Sequence, residues 1–209
     1  MRPPALYPII DLHISCHPLE HLLSEFAASG IRWVQLRAKE LNSRQFLEQA
    51  LHFVQLTHSY GMTAIINDRP DIALFSGADG VHVGQDDLPV EGARSILGSQ
   101  KIIGLSTHNS DQAKLAQESS ADYVAIGPVF ATSSKANPDP VLRSEEVRLV
   151  RKVVSKPLVA IGGISAENSI QLFRWGIDSV AVIRDLMCAS DIRKRIADYC
   201  TSEKPAESH

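Results

Sequence analysis

Cationic, carboxylate and hydroxyl side chains recur in this chain directly after short apolar runs. Gln35, Arg37 and Lys39 alternate along one extended segment, so they project to one side while Leu36 and Ala38 project to the other. Asn67, Asp68 and Arg69 follow the run that starts at Thr63, and Gly84, Gln85, Asp86 and Asp87 follow the run that starts at Gly80. Ser106, Thr107 and His108 close a fifth run. A long loop after Gly127-Pro128 carries Thr132, Ser133, Ser134 and Lys135, Gly162-Gly163 closes a seventh run, and Ile183-Arg184 closes an eighth.

These residue types suggest a hard cation and phosphate. Asp68 and Asp87 can each give one oxygen to a magnesium ion that keeps its other positions for water and phosphate oxygens. Arg37, Lys39 and Lys135 would then hold the phosphate. The glycine pair, with the start of the helix after the last run, offers backbone amides to a second phosphate. Taken singly, each feature has a plainer reading. Asp68 before Arg69-Pro70 could be a turn residue, Asp86-Asp87 before Leu88-Pro89 could start a helix, Lys39 could be a solvated loop lysine, and Gly162-Gly163 could be a tight turn. It is their joint occurrence that carries weight. His13, His17 and His21 are spaced by four like a ligand row, but Pro18 breaks any helix through all three. His82 lies inside the fourth run and reads as a satisfied interior residue. No nucleophile, base and orienting acid can be grouped, so covalent catalysis is not expected.

The elements that must position these groups are strands and helices in alternation. Strand candidates begin at Tyr7, Trp33, Thr63, Gly80, Lys101, Asp122, Pro157 and Asp178, with a helix-like stretch after each. Leu19, Leu22, Leu23, Phe26 and Ala27 make one apolar stripe ending near Gly30, and Phe46, Leu47, Ala50, Leu51, Val54 and Thr57 make another ending near Gly61. The third helix, Asp71 to Ser76, is barely long enough, and Ser144 and Ser165 are placed to cap the sixth and seventh. Strands joined by helical crossovers form a parallel sheet. The eight units, with polar residues after nearly every strand rather than at one switch point, favour a single (β/α)8 TIM barrel over an open doubly wound sheet. Residues 1–200 are expected to form this one domain, and 201–209 a polar, frayed tail.

Bulk properties narrow the partners. A chain of 209 residues can bury roughly 70% of its unfolded surface. A composition 44% hydrophobic and 22% charged, with a formal net charge of -3, gives no reason to expect nucleic acid or an anionic membrane. Cys16, Cys188 and Cys200 are odd in number and far apart in sequence, which suits reduced thiols rather than a disulfide framework or a zinc pattern. Met1-Arg2-Pro3-Pro4 lacks an apolar signal segment, and no stretch approaches the ~20 apolar residues of a membrane helix. A cytoplasmic protein acting on small molecules is expected, and a homo-oligomer is compatible with it.

Six segments in order, VQLRAK (Val34 to Lys39), IINDR (Ile65 to Arg69), GVHVGQDD (Gly80 to Asp87), GLSTH (Gly104 to His108), DYVAIGPVFATSSK (Asp122 to Lys135) and AIGGI (Ala160 to Ile164), are similar to thiamine phosphate synthases. The resemblance spans about Tyr7 to Leu186. It implies an enzyme that joins a hydroxymethylpyrimidine diphosphate to a thiazole phosphate, releasing diphosphate and forming thiamine phosphate. It puts Gln35, Arg37, Lys39, Asn67, Ser106 and Lys135 on the pyrimidine diphosphate, and Asp68 and Asp87 on magnesium. Thr132, Ser133, Ser134, Gly163, Ile183 and Arg184 fall on the thiazole phosphate side. Arg37, Lys39, Ser106 and Lys135 make the expected catalytic set. The chain departs from the family pattern at Ala131, where proline is usual, and at Arg184, where serine is common. Rival readings are a thiazole tautomerase, whose members often carry histidine where this chain has Pro128, a non-catalytic sensor of a thiamine precursor, and an unrelated phosphate-binding isomerase or aldolase.

Overall fold

The computed structural model describes residues 2–132 and 139–202. Eight parallel strands, β1 (Leu6–Asp11), β2 (Trp33–Arg37), β3 (Thr63–Asn67), β4 (Gly80–Val83), β5 (Ile102–Thr107), β6 (Tyr123–Ile126), β7 (Leu158–Ile161) and β8 (Ser179–Val182), close in sequence order, with β8 paired back to β1. Around them lie α1 (Leu19–Ala28), α2 (Ser43–Ser59), α3 (Pro70–Ser76), α4 (Val90–Leu97), α5 (Ser110–Glu118), α6 (Ser144–Val153), α7 (Ala166–Arg174), α8 (Arg184–Met187) and α9 (Ile192–Ser202). This is the (β/α)8 barrel expected from the alternation.

Each strand is buried on both faces, as a parallel sheet covered by helices requires. One face points into the barrel, where Tyr7, Ile9, Trp33, Ile65, Tyr123 and Val159 pack together. The Tyr7 ring meets Trp33 and Tyr123 edge-on at centroid distances of 5.9 and 6.2 Å, the arrangement that aromatic quadrupoles favour. The other face meets the helices through Ile10, Leu22, Phe26, Leu36 and Phe53, all fully buried. Of the predicted stripes, Leu19, Leu22, Leu23 and Phe26 of α1 and Phe46, Ala50, Val54 and Thr57 of α2 are buried, whereas Leu51 is exposed.

Several boundaries differ from the sequence expectation. Pro18 stands just before α1, at its cap position, so the helix begins after His13 and His17. Ser144 is the first residue of α6 rather than its cap, because the Glu146 carboxylate accepts the Arg143 N–H at 2.8 Å and so moves the helix start back one residue. Ser165 does cap α7, and its N–H donates to Asn168 Oδ1 at 2.9 Å. α9 continues to Ser202, past the expected boundary at 200, while the rest of the expected tail, 203–209, lies outside the described residues.

The N-terminal face of the barrel carries a repeated clamp. Asp79, Asp122 and Asp178 each stand just before a strand, and each accepts a backbone N–H from the preceding strand at 2.8 Å: Ala64, Ile103 and Leu158 respectively. A basic side chain backs every carboxylate, His58 at 2.8 Å, Arg94 at 2.7 Å and Arg151 at 2.8 Å. The clamps lie opposite the polar strand ends, on the face of such barrels that serves stability. Asp178→Ala is therefore expected to cost about 2 kcal/mol, since it strips an acceptor from Leu158 and a partner from Arg151. Urea unfolding should give a lower midpoint with an unchanged slope, and ligand binding should not move.

Candidate active site

All the strands deliver their C-terminal ends to one cavity of about 1010 Å³. β2 and the turn after it contribute Gln35, Arg37 and Lys39, β3 ends in Asn67 and Asp68, the loop after β4 gives Asp87, and β5 gives Ser106. On the far side lie Thr132, Gly163, Ile183 and Arg184. Every expected site residue that the structure describes thus lines the same cavity. Ser133, Ser134 and Lys135 fall outside the described residues.

The carboxylate side is built by backbone geometry as much as by side chains. Asp68 has φ 65°, and it alone of the described non-glycine residues has a positive φ. Such a conformation costs on the order of 1–2 kcal/mol, and strain of this kind accumulates where a side chain must be aimed. The Asp68 N–H donates to the His82 carbonyl at 2.7 Å, and its carboxylate meets Lys39 Nζ at 3.0 Å. Asp87 folds back to accept the Gly84 N–H at 2.7 Å. Burial, and then the adjacent Asp68 carboxylate, push the Asp87 pKa up, against the opposing pull of the Gly84 N–H and Lys39. Two crowded carboxylates of this kind are relieved by a hard cation. Asp68 and Asp87 offer hard oxygen donors of the kind magnesium takes one or two of, completing its shell with water and phosphate oxygens; among the described residues no group of three or more His, Cys, Asp or Glu converges.

The cationic side has a partner that the sequence reading missed. Asp11, at the end of β1, is almost fully buried and pairs with Arg37. The β1–β2 register sets the two opposite each other, so Asp11 fixes where the guanidinium points. The signal was present, because β1 closes on a carboxylate just as β3 does on Asn67 and Asp68. His82 was read as a satisfied interior residue and is one: its ring contacts Tyr123 Oη at 2.9 Å and Ser106 Oγ at 2.8 Å. Yet it also lines the cavity.

Gly162 and Gly163 are more than a turn. Both have positive φ, 101° and 63°. A Cβ on Gly162 would strike Pro128, and one on Gly163 would strike Ala131 O and Phe130. The pair therefore lets the loop after β6 lie against the end of β7, where Phe130 N–H donates to Gly162 O at 3.0 Å.

Above β8, Arg195 of α9 binds two carboxylates. It forks onto Asp185 at 2.7 and 2.8 Å and onto Glu167 of α7 at 2.7 and 2.9 Å. Tyr199 donates to Asp185 at 2.7 Å. The network ties α7, α8 and α9 together beside Ile183 and Arg184. Nearby, tertiary structure joins two cysteines that sequence distance had set apart, with Cys16 and Cys188 Sγ 2.9 Å from each other; both are free thiols.

Comparison with known proteins settles the relationship. The family model for thiamine monophosphate synthase matches residues 6–186. The chain belongs to the thiamine monophosphate synthase family. It is 44% identical over 204 residues to a thiamine-phosphate synthase of Koribacter versatilis, covering 95% of both chains. A thiamine-phosphate synthase of Ruminiclostridium cellulolyticum is 42% identical over 189 residues, covering 90% of each. Among solved structures, a thiamine phosphate pyrophosphorylase from Pyrococcus furiosus superposes with a TM-score of 0.83 at 34% identity over 94% of each chain. No helix among the described residues is long and apolar enough to cross a membrane.

The Arg195 network yields a pH prediction. Hydrogen bonds from Arg195 above all, and then from Ser165, hold Glu167 down from 4.5 to about 2. A depressed carboxylate stabilises the fold above its unfolded pKa, and that contribution is lost as pH falls from 4.5 towards 2. Thermal unfolding across this window should show Arg195→Met flattening the acid-side decline of Tm relative to the unaltered protein.

Proposed function

We propose that this protein is a thiamine phosphate synthase that uses magnesium to join a hydroxymethylpyrimidine diphosphate to a thiazole phosphate. The observation that carries this reading is the pairing of Asp68 and Asp87 opposite Arg37 and Lys39 at one cavity mouth. Carboxylates and cations in that order suit a metal-bound diphosphate.

In this reading Gln35, Asn67 and Ser106 hold the pyrimidine, while Arg37, Lys39 and Lys135 take the diphosphate. Thr132, Ser133, Ser134, Gly163, Ile183 and Arg184 hold the thiazole phosphate. The bond from the pyrimidine methylene to the diphosphate oxygen breaks, and its electron pair leaves with diphosphate. The electron-rich aminopyrimidine spreads the resulting positive charge, and the thiazole nitrogen then gives its lone pair to form the new C–N bond. No enzymic nucleophile is consumed. Magnesium, held by Asp68 and Asp87, would neutralise charge on the departing diphosphate.

Magnitudes make this a shared task. Enzymes typically lower barriers by ~8 kcal/mol or more, whereas one charge-assisted hydrogen bond supplies ~1.5–3 kcal/mol. Arg37, Lys39 and Lys135 must therefore act together with the metal. Asp11 holds Arg37 in place for this, and alignment of the thiazole nitrogen behind the departing group supplies a further share. Pro128, which lines the cavity where tautomerases often carry histidine, favours the synthase over that rival. The retained carboxylates and cations argue against a sensor. A cytoplasmic location belongs to the same reading.

Incubation of the protein with both substrates should give thiamine phosphate and diphosphate in equal amounts, dependent on magnesium. Asp87→Ala should raise the magnesium requirement at least tenfold or abolish turnover. Product formation with an unaltered magnesium requirement in the variant would remove Asp87 from the metal site, and absence of both products from the unaltered protein would sink the synthase reading.

A further inference from the structure

We propose that His82 is a positioning residue for the pyrimidine, the last link of a buried chain through which the Gln35 amide orders protons so that Ser106 meets the ring as a hydrogen-bond donor. This role deepens, and rests on, the proposed assignment of Gln35 and Ser106 to the pyrimidine site.

The chain is continuous. Gln35 Nε2 lies 3.0 Å from Tyr7 Oη, Tyr7 Oη 3.2 Å from Tyr123 Oη, Tyr123 Oη 2.9 Å from His82 Nδ1, and His82 Nε2 2.8 Å from Ser106 Oγ. It crosses the barrel interior from β2 through β1, β6 and β4 to β5, and both of its ends line the cavity. Tyr7 and Tyr123 are about 1% exposed, and burial raises both phenols above their ordinary pKa, so each keeps its single proton.

Proton counting then gives the chain one direction. An amide nitrogen can only donate, so Tyr7 Oη accepts from Gln35, and the Tyr7 proton, buried and needing an acceptor, goes to Tyr123 Oη. Tyr123 accepts that bond and passes its proton to His82 Nδ1. With Nδ1 accepting, the neutral imidazole carries its proton on Nε2 and donates to Ser106 Oγ. The Ser106 proton is left to point into the cavity. A pyrimidine nitrogen, whose lone pair accepts, matches such a donor; a ring presenting N–H at that point does not.

A separate feature shows that the backbone makes room for this chain. Gly104 of β5 has no positive φ, so its lack of a side chain is not a matter of backbone conformation. A Cβ there would come within 2.5 Å of Tyr123 Cζ, Tyr123 Oη and His82 Nδ1. Glycine at 104 is what permits the Tyr123–His82 contact, in which the rings also stack at 5.5 Å and 25°.

The test uses two substitutions of different reach in the full chain. In His82→Asn the amide can replace Nδ1 and meet Tyr123 but cannot reach Ser106. In His82→Gln the amide extends to the place of Nε2 and can meet Ser106. His82→Asn is expected to raise KM for the pyrimidine diphosphate about five- to ten-fold, the worth of one misdirected hydrogen bond, with KM for the thiazole phosphate unchanged. His82→Gln should return KM to within about two-fold of the unaltered value. Equal effects of the two variants, or a parallel rise in both KM values, would overturn the positioning role while leaving the synthase reading intact. Failure of the unaltered protein to form thiamine phosphate would overturn both. Should His82→Asn not fold, Tyr123→Phe removes the donor to Nδ1 and must itself raise KM for the pyrimidine diphosphate selectively; an unchanged KM there overturns the proposal.

Discussion

Closing eight short parallel strands into a ring leaves an interior that side chains must fill, and here that filling is polar as well as aromatic. Tyr7, Trp33 and Tyr123 occupy the space, and the phenol hydroxyls are joined to Gln35 and His82. A buried hydroxyl without a partner costs on the order of 1–3 kcal/mol, so these residues hold one another to a single arrangement. The floor of the cavity is thereby rigid in orientation as well as in position. Side chains above it, Ser106 in particular, inherit that order.

At the mouth, electrostatics divide the work. Asp68 and Asp87 crowd on one side, Arg37 and Lys39 face them, and each group has a protein partner: Asp11 for Arg37, Lys39 for Asp68, and the Gly84 N–H for Asp87. A site organised in advance does not need to reorganise when charge leaves with the diphosphate. Asp68 pays for its aim with a left-handed backbone, one of the features that separate this mouth from an ordinary polar rim.

Stability and chemistry lie at opposite ends of the strands. The Asp79, Asp122 and Asp178 clamps bind neighbouring strands at the N-terminal face, far from the cavity. The C-terminal face is left to the loops, with the Arg195 network holding α7, α8 and α9 beside Ile183 and Arg184. This separation lets the loops carry crowded charge and a strained backbone at Asp68 while the barrel supplies the cohesion.

Much of this was legible in the sequence because it depends on local order. Apolar periodicity marked all eight strands, and a strand's end is known once the strand is known, so Gln35, Arg37, Lys39, Asn67, Asp68, Asp87 and Ser106 could be named as cavity residues from their places alone. The six ordered segments pointed to the family. What the sequence alone left undecided were partnerships between residues far apart along it: Asp11 with Arg37, Cys16 with Cys188, and the chain from Gln35 to Ser106, whose Tyr7 and Tyr123 stand in separate strands. Those depend on the register of a closed ring and on a glycine at 104 that admits two side chains to one place. Periodicity determines which way each side chain faces, but only the closed barrel determines which others it meets there.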